Sequence, residues 1–290
     1  MRKRSFAAAL LLSLGLAGHA GAEEAQVLPD TTRLVAIGGS VTEIFYALGA
    51  QDKLVARDST SVYPQEAFSL PDVGYMRQLS PEGVLSVNPS GIVALEGAGP
   101  QEAVDVLKRA SVPYLEVPEA FDHKGIVDKI EIVGTAIGEQ AKADALAKQV
   151  DADLSAAEAI TKDVTQRKRV LFVLSLQGGK ILASGTDTAA DGMIKLAGAV
   201  NAIDGFTGYK QLTDEAVISA QPDAILVMER SGLSIGDDQV VQHPAIASTP
   251  AGRTKSIVRM DGAYLLGFGP RTASAIRELA TGLYGEAVAK

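Results

Sequence analysis

The chain has 290 residues, 27 Lys+Arg against 35 Asp+Glu, a formal net charge of −8, and no cysteine. The acidic balance argues against nucleic acid as a partner, since phosphate binding rewards clustered Lys and Arg. Without thiols there can be no disulfides, zinc–thiolate sites, iron–sulfur clusters or cysteine nucleophiles, so apolar cores must hold the fold.

The first predicted element is a leader. Arg2, Lys3 and Arg4 precede the apolar run FAAALLLSLGLAG at 6–18, and Ala20-Gly21-Ala22 follows as a small-x-small cleavage site. The run is too short for a membrane span, so residues 1–22 read as a secretory signal peptide and the mature protein is expected to be exported and soluble. Only His123 and His243 remain after cleavage, too few for an imidazole-rich metal site.

RLVAI at 33–37 reads as a strand leading through Gly38-Gly39-Ser40 into an amphipathic helix that ends at LGA, 48–50. In GYMRQLSPEGVLSVNPSGIVAL at 74–95, Ser80 is a helix N-cap, Pro81 occupies the first helical position and Pro89 stops the helix. GIVAL then reads as a buried parallel strand. EAVDVLKRA at 102–110 is a helix and PYLEV at 113–117 a strand. Residues 138–169 contain no proline and no internal glycine, with apolar positions at Ala141, Ala145, Leu146, Val150, Leu154 and Ile160. That pattern suits one long helix, and about 25 helical residues would span nearly 40 Å. RVLFVLS at 169–175 is again a strand, leading after LASG at 182–185 into a helix that ends at LAGAVN, 196–201.

An internal repeat follows. QLSPEGVLSVNPSGIVAL at 78–95 aligns with QLTDEAVISAQPDAILVM at 211–228, with seven of 18 positions identical and Gly-Tyr before both copies. Thr213 and Asp214 supply the caps in the second copy. Repeats fix architecture, and alternating strands and helices imply covered parallel sheets. The expected fold is therefore α/β: two similar parallel-sheet lobes, 27–138 and 168–290, joined by a backbone helix over 139–167, with the ligand in the cleft between them.

The leader, the twin lobes, the single helical link and the motif P-E-x-V-L-x-x-x-P resemble the class III periplasmic substrate-binding proteins of ABC importers. VGYMRQLSPEGVLSVNP and GFGPRTASAI (267–276) are most similar to the haem-transport branch of that group. The resemblance covers essentially the whole mature chain. It implies a periplasmic, monomeric carrier that binds one ferric haem per chain, with Tyr75 as axial ligand. The chemistry agrees, because a phenolate is a hard anionic donor for a hard ferric ion. Iron and a nearby cation must favour the anion, since a free phenol titrates near 10. Arg77 would serve if the segment is extended, where residues i and i+2 share a side.

Tyr209, placed on the opposite lobe by the repeat, is a second ligand, a stacking wall or plain packing; the branch's usual single tyrosine favours a wall. Arg230, Arg271 and Lys210 are candidates for the propionates, and Met76, Phe206 and Phe268 for apolar walls. Glu82 and Glu215 occupy matching helix starts, where the resemblance implies docking onto arginines of a dimeric membrane permease. No Gly-x-Ser-x-Gly elbow, Gly-Lys-Ser/Thr phosphate loop or His-Glu-x-x-His pair occurs, so catalysis is not expected. A ferric siderophore or a corrinoid is the alternative cargo.

Overall fold

The computed structural model describes residues 27–229, 235–285 and 288. The predicted signal peptide at 1–22 lies outside the described residues. No described helix is long and apolar enough to cross a membrane.

The first sheet is built from β1 (Leu34–Ile37), β2 (Leu54–Arg57), β3 (Gly91–Leu95) and β4 (Tyr114–Val117) in the order β2-β1-β3-β4, all parallel. Every residue of β1 and β3 is buried, as expected for central strands covered on both faces. The helices of this lobe are α1 (Gly39–Ala47), α2 (Pro81–Leu85), α3 (Gln101–Arg109) and α4 (His123–Ala136). Ser80 caps α2 by accepting from the Gly83 amide at 3.3 Å, and Pro81 sits at the start of that helix.

The predicted link is α5 (Gln140–Ala159), 20 residues long and about 30 Å at the standard rise. It is shorter than the sequence pattern suggested because the chain breaks into turns after Ile160. Its buried stripe is Ala143, Ala147, Val150, Leu154 and Ala157, the alternating four- and three-residue spacing of a helix seam.

The second sheet contains β5 (Arg169–Gln177), β6 (Lys180–Ser184), β7 (Val200–Asn201), β8 (Tyr209–Gln211), β9 (Ala224–Glu229) and β10 (Ile257–Asp261). Its order is β10-β9-β5-β6-β8, with β7 also pairing β5. β10, β9, β5 and β7 run parallel, whereas β6 and β8 are antiparallel additions. The sheet is therefore mixed rather than wholly parallel. Gly178-Gly179 turns β5 straight back into β6, with φ of 57° and 73°, the positive values a tight two-residue hairpin requires.

The helices here are α6 (Ala189–Leu196), α7 (Asp214–Ala220), α8 (Asp237–Val241), α9 (Pro244–Ala247), α10 (Pro250–Thr254), α11 (Gly262–Leu266) and α12 (Thr272–Tyr284). α5 packs against both α4 and α12. The repeat holds in three dimensions. α2–β3 and α7–β9 each deliver a strand beside the first strand of their lobe. Each helix is followed by a left-handed residue before proline, Asn88-Pro89 and Gln221-Pro222.

One buried cluster runs unbroken through the first lobe, α5, α12 and the inner face of the second sheet, where Val170, Phe172 and Leu226 point. Their alternates Leu171, Val173, Ile225 and Val227 form a separate core on the outer face, as the two-residue period of strands dictates.

Candidate functional site

The first wall is the loop between β2 and α2. Residues 75–78 close a turn, the Gln78 amide donating to the Tyr75 carbonyl at 2.8 Å. The segment is therefore turned and not extended, because neighbouring backbone groups capture its amides. The Gly99 amide donates to the Met76 carbonyl at 2.8 Å and the Leu79 amide to the Gly99 carbonyl at 2.7 Å. Tyr75 is 38% exposed. Met76, predicted as a wall, is instead buried in the lobe core, because the turn directs it inward. Arg77 is exposed and lies against Gly97, with Nη1 3.7 Å from where a β-carbon would stand.

The opposing wall comes from the second lobe. Tyr209 starts β8, 39% exposed, with its ring edge-on to Phe172 at a centroid distance of 6.4 Å. Burial of the hydroxyl end pushes its pKa up, while the Thr188 hydroxyl, the Ala190 amide and the Arg77 charge work the other way. Arg77 and Tyr209 thus feel each other from opposite lobes. Lys210 does not join them. Adjacent strand residues take opposite faces, and its Nζ lies 5.0 Å over the ring of Phe206, which packs on the outer core. Neither Lys210 nor Phe206 shares Tyr209's face, contrary to expectation.

The GFGPR segment likewise serves a different purpose from the one expected. Phe268 is fully buried at φ 47°, edge-to-face with Phe121 at 5.3 Å, so it is core and not a ligand wall. The Arg271 guanidinium donates to Glu43 Oε2 through Nε at 3.0 Å and Nη2 at 2.9 Å, and its amide donates to Oε1 at 3.0 Å. It also stacks 3.5 Å over Tyr63. Arg271 therefore joins the lobes instead of waiting free for a propionate. Arg230 lies outside the described residues.

Lys129 completes this junction. Its side chain is fully buried, and Nζ donates to Glu119 Oε1 at 2.5 Å, the Phe268 carbonyl at 3.2 Å and Ser40 Oγ at 3.3 Å. Burial raises the pKa of Glu119 and of Glu43 and lowers that of Lys129, against the attraction of their partners. Sequence reasoning missed these residues. The available signal was Lys129 itself, a lysine within the apolar stripe Ile126, Ile130 and Val133 of α4. Beyond the junction a cavity of about 570 Å³ opens between the lobes, lined by Glu119, Phe121, Asp122, Thr186, Thr188 and Lys195 among others. Its size falls in the usual range for small-molecule sites.

Glu82 and Glu215 are exposed in the first turns of α2 and α7. Each carboxyl is held below the usual glutamate range, first by its own backbone amide and then by the cap hydroxyl of Ser80 or Thr213.

The sequence profile of the periplasmic binding protein family matches residues 34–264. An uncharacterised ABC transporter substrate-binding lipoprotein of Bacillus subtilis, YvrC, is 28% identical over 90% of this chain and 83% of its own. A vitamin B12-binding protein of Vibrio parahaemolyticus is 25% identical over 85% and 87%. Among solved structures, the periplasmic haem-binding protein BhuT in complex with two haems has a TM-score of 0.83 and 39% identity, covering 88% of this chain and 98% of that one. The periplasmic haem-binding protein RhuT of Roseiflexus sp. RS-1, in its apo form, has a TM-score of 0.82 and 36% identity, covering 89% and 100%.

Proposed function

This chain belongs to the periplasmic binding protein family, and on that premise we propose that it carries ferric haem to an ABC importer, holding the iron through Tyr75. Binding proteins of this family are carriers and not catalysts. The observation that carries the reading is the part-exposed phenol of Tyr75 on the first lobe, with the part-exposed Tyr209 on the second. Haem as cargo is supported by the haem-binding structures at 39% and 36% identity. The phenolate supplies a hard donor, while the turn at 75–78 removes the extended geometry that would have set Arg77 on the same side as Tyr75. Tyr209, with its phenol pushed toward the neutral form, acts as a wall. Glu82 and Glu215 present one acid on each lobe to a twofold permease. The mature protein works in the periplasm as a monomer with one haem.

Haemin titration of the purified protein tests this. The expected result is a ferric Soret band with a high-spin phenolate charge-transfer band, saturating at one haem per chain. Tyr75→Ala should lose more affinity than the roughly 10–100-fold typical of losing a supporting residue, and Tyr209→Phe should lose much less. The reverse order would move the ligand to the other lobe. The vitamin B12-binding relative favours a corrinoid as the second reading, and cyanocobalamin binding in place of haemin would establish it.

A further inference from the structure

An aromatic side chain that the reading above leaves unused lies at the margin of the cleft. Tyr63 belongs to the loop that leaves the carboxyl end of β2, the side of an open α/β sheet where ligands gather. The loop is tied down at several points. Asp58, fully buried, accepts from the Gly38 amide at 2.9 Å and the Ser61 hydroxyl at 2.7 Å, and Ser61 shares a further hydrogen bond of 2.7 Å with Thr42 of α1. The Ser59 amide donates to the Gly74 carbonyl at 2.9 Å, which sets this segment beside Tyr75. Tyr63 then reaches the second lobe, where the Arg271 guanidinium stacks 3.5 Å over its ring. That cation is itself fixed, because Glu43 holds it through Nε at 3.0 Å and Nη2 at 2.9 Å. A residue that touches the opposite lobe and is still 44% exposed borders the space between the lobes. Val62 beside it is 39% exposed and Tyr75 38%, so one loop presents three large, part-exposed side chains.

We propose that Tyr63 is a second aromatic contact for the cargo, its ring stacking on the porphyrin plane that Tyr75 holds by its iron. This deepens the haem reading and rests on it. Arg271 is the positioning residue, fixing the ring from one face and leaving the other to the ligand. Stacked π faces ordinarily repel, because each carries the negative end of a ring quadrupole. A guanidinium on one face draws that density toward itself, which eases the approach of a flat, electron-rich macrocycle to the other. The contact needs no iron, so it adds affinity for the porphyrin itself, whereas Tyr75 acts only on the metal.

The test separates plane from metal. Haemin, gallium(III) protoporphyrin IX and metal-free protoporphyrin IX are titrated into wild type, Tyr63→Leu, Tyr63→Phe and Tyr75→Ala, with melting temperatures confirming that each variant folds. Tyr63→Leu is expected to weaken all of these ligands by a similar factor, roughly two- to tenfold. Tyr63→Phe, which keeps the ring, should restore what leucine loses. Tyr75→Ala should weaken haemin far more than the metal-free porphyrin. A purely structural role would not move the nuclear magnetic resonance signal of the Tyr63 ring, identified by its disappearance in Tyr63→Phe. The ring current of bound, diamagnetic gallium protoporphyrin should shift that signal upfield in wild type, a result that stands even if Tyr63→Leu fails to fold. Affinity lost in Tyr63→Leu without that shift would make Tyr63 part of the lobe junction only and overturn the inference, as would a loss confined to the metal-containing ligands. If wild type binds neither haemin nor gallium protoporphyrin, the haem reading fails and this inference falls with it. If wild type binds and the Tyr63 signal stays in place, only the inference falls.

Discussion

Replacing Lys129 by methionine keeps the aliphatic stem and deletes the ammonium, isolating the charge contribution of the lobe junction. Three hydrogen bonds vanish, to Glu119, Ser40 and the Phe268 carbonyl. Removing one member of a buried ion pair typically costs about 3–5 kcal/mol, because the remaining charge is uncompensated. The orphaned glutamate has one escape, which is to take a proton. Holding a carboxyl with the ordinary value of 4.5 protonated at pH 7 costs about 3.4 kcal/mol, which caps that part of the penalty. Burial already raises Glu119 even with Lys129 present, so the actual cost of protonation is smaller. Losing the bond to the Phe268 carbonyl adds about 0.5–1.5 kcal/mol. The expected destabilisation is about 3 kcal/mol at pH 7, measured by urea unfolding with coincident fluorescence and circular dichroism transitions. The penalty should shrink toward pH 4.5 and grow as pH rises, because a group with a raised folded pKa stabilises the fold below its unfolded value. Lys129→Met combined with Glu119→Gln should recover most of the loss. A cost below about 1 kcal/mol, or one that does not change with pH, would refute the assignment of Lys129 and Glu119 as a mutually dependent buried pair.

The same linkage applies to Glu43, whose pKa is raised mainly by burial despite Arg271. Wild type should lose stability as pH climbs from about 4.5 through the raised folded value, and Glu43→Gln should flatten that slope in denaturation series. Gly192 in α6 lets Phe121 of the first lobe approach so closely that an added β-carbon would stand 2.7 Å from Phe121 Cβ. Gly192→Ala should therefore cost about 1–3 kcal/mol and widen the cleft, visible as a larger radius of gyration in small-angle scattering. Charge reversal of Glu82 and Glu215 to lysine should leave haemin binding unchanged while abolishing stimulation of the reconstituted importer's ATPase. Persistent stimulation would remove both residues from docking.

Local chemistry was legible in the sequence wherever neighbours along the chain decide conformation. Ser80 and Thr213 cap their helices, GIVAL and AILVM form buried parallel strands, and the repeat of 78–95 at 211–228 places matching units beside the first strand of each lobe. Glu82 and Glu215 emerge at equivalent exposed helix starts because a cap and an acid two positions later are local features. The antiparallel hairpin at Gly178-Gly179 was also written locally, but a strand-then-helix pattern hid it. What the chain alone did not determine is which charges find each other. Arg271 looked free for a ligand, yet it is claimed by Glu43, 228 positions away. Phe268 and Met76 looked like cleft walls, and packing buried both. Strand alternation sent Lys210 away from its neighbour Tyr209. Pairing energy depends on distance and on how much water is excluded, and both are set only when the two lobes close over Lys129. Sequence thus determined the lobes, the caps and the exposed acids, while the tertiary fold decided which cations remain available to a ligand.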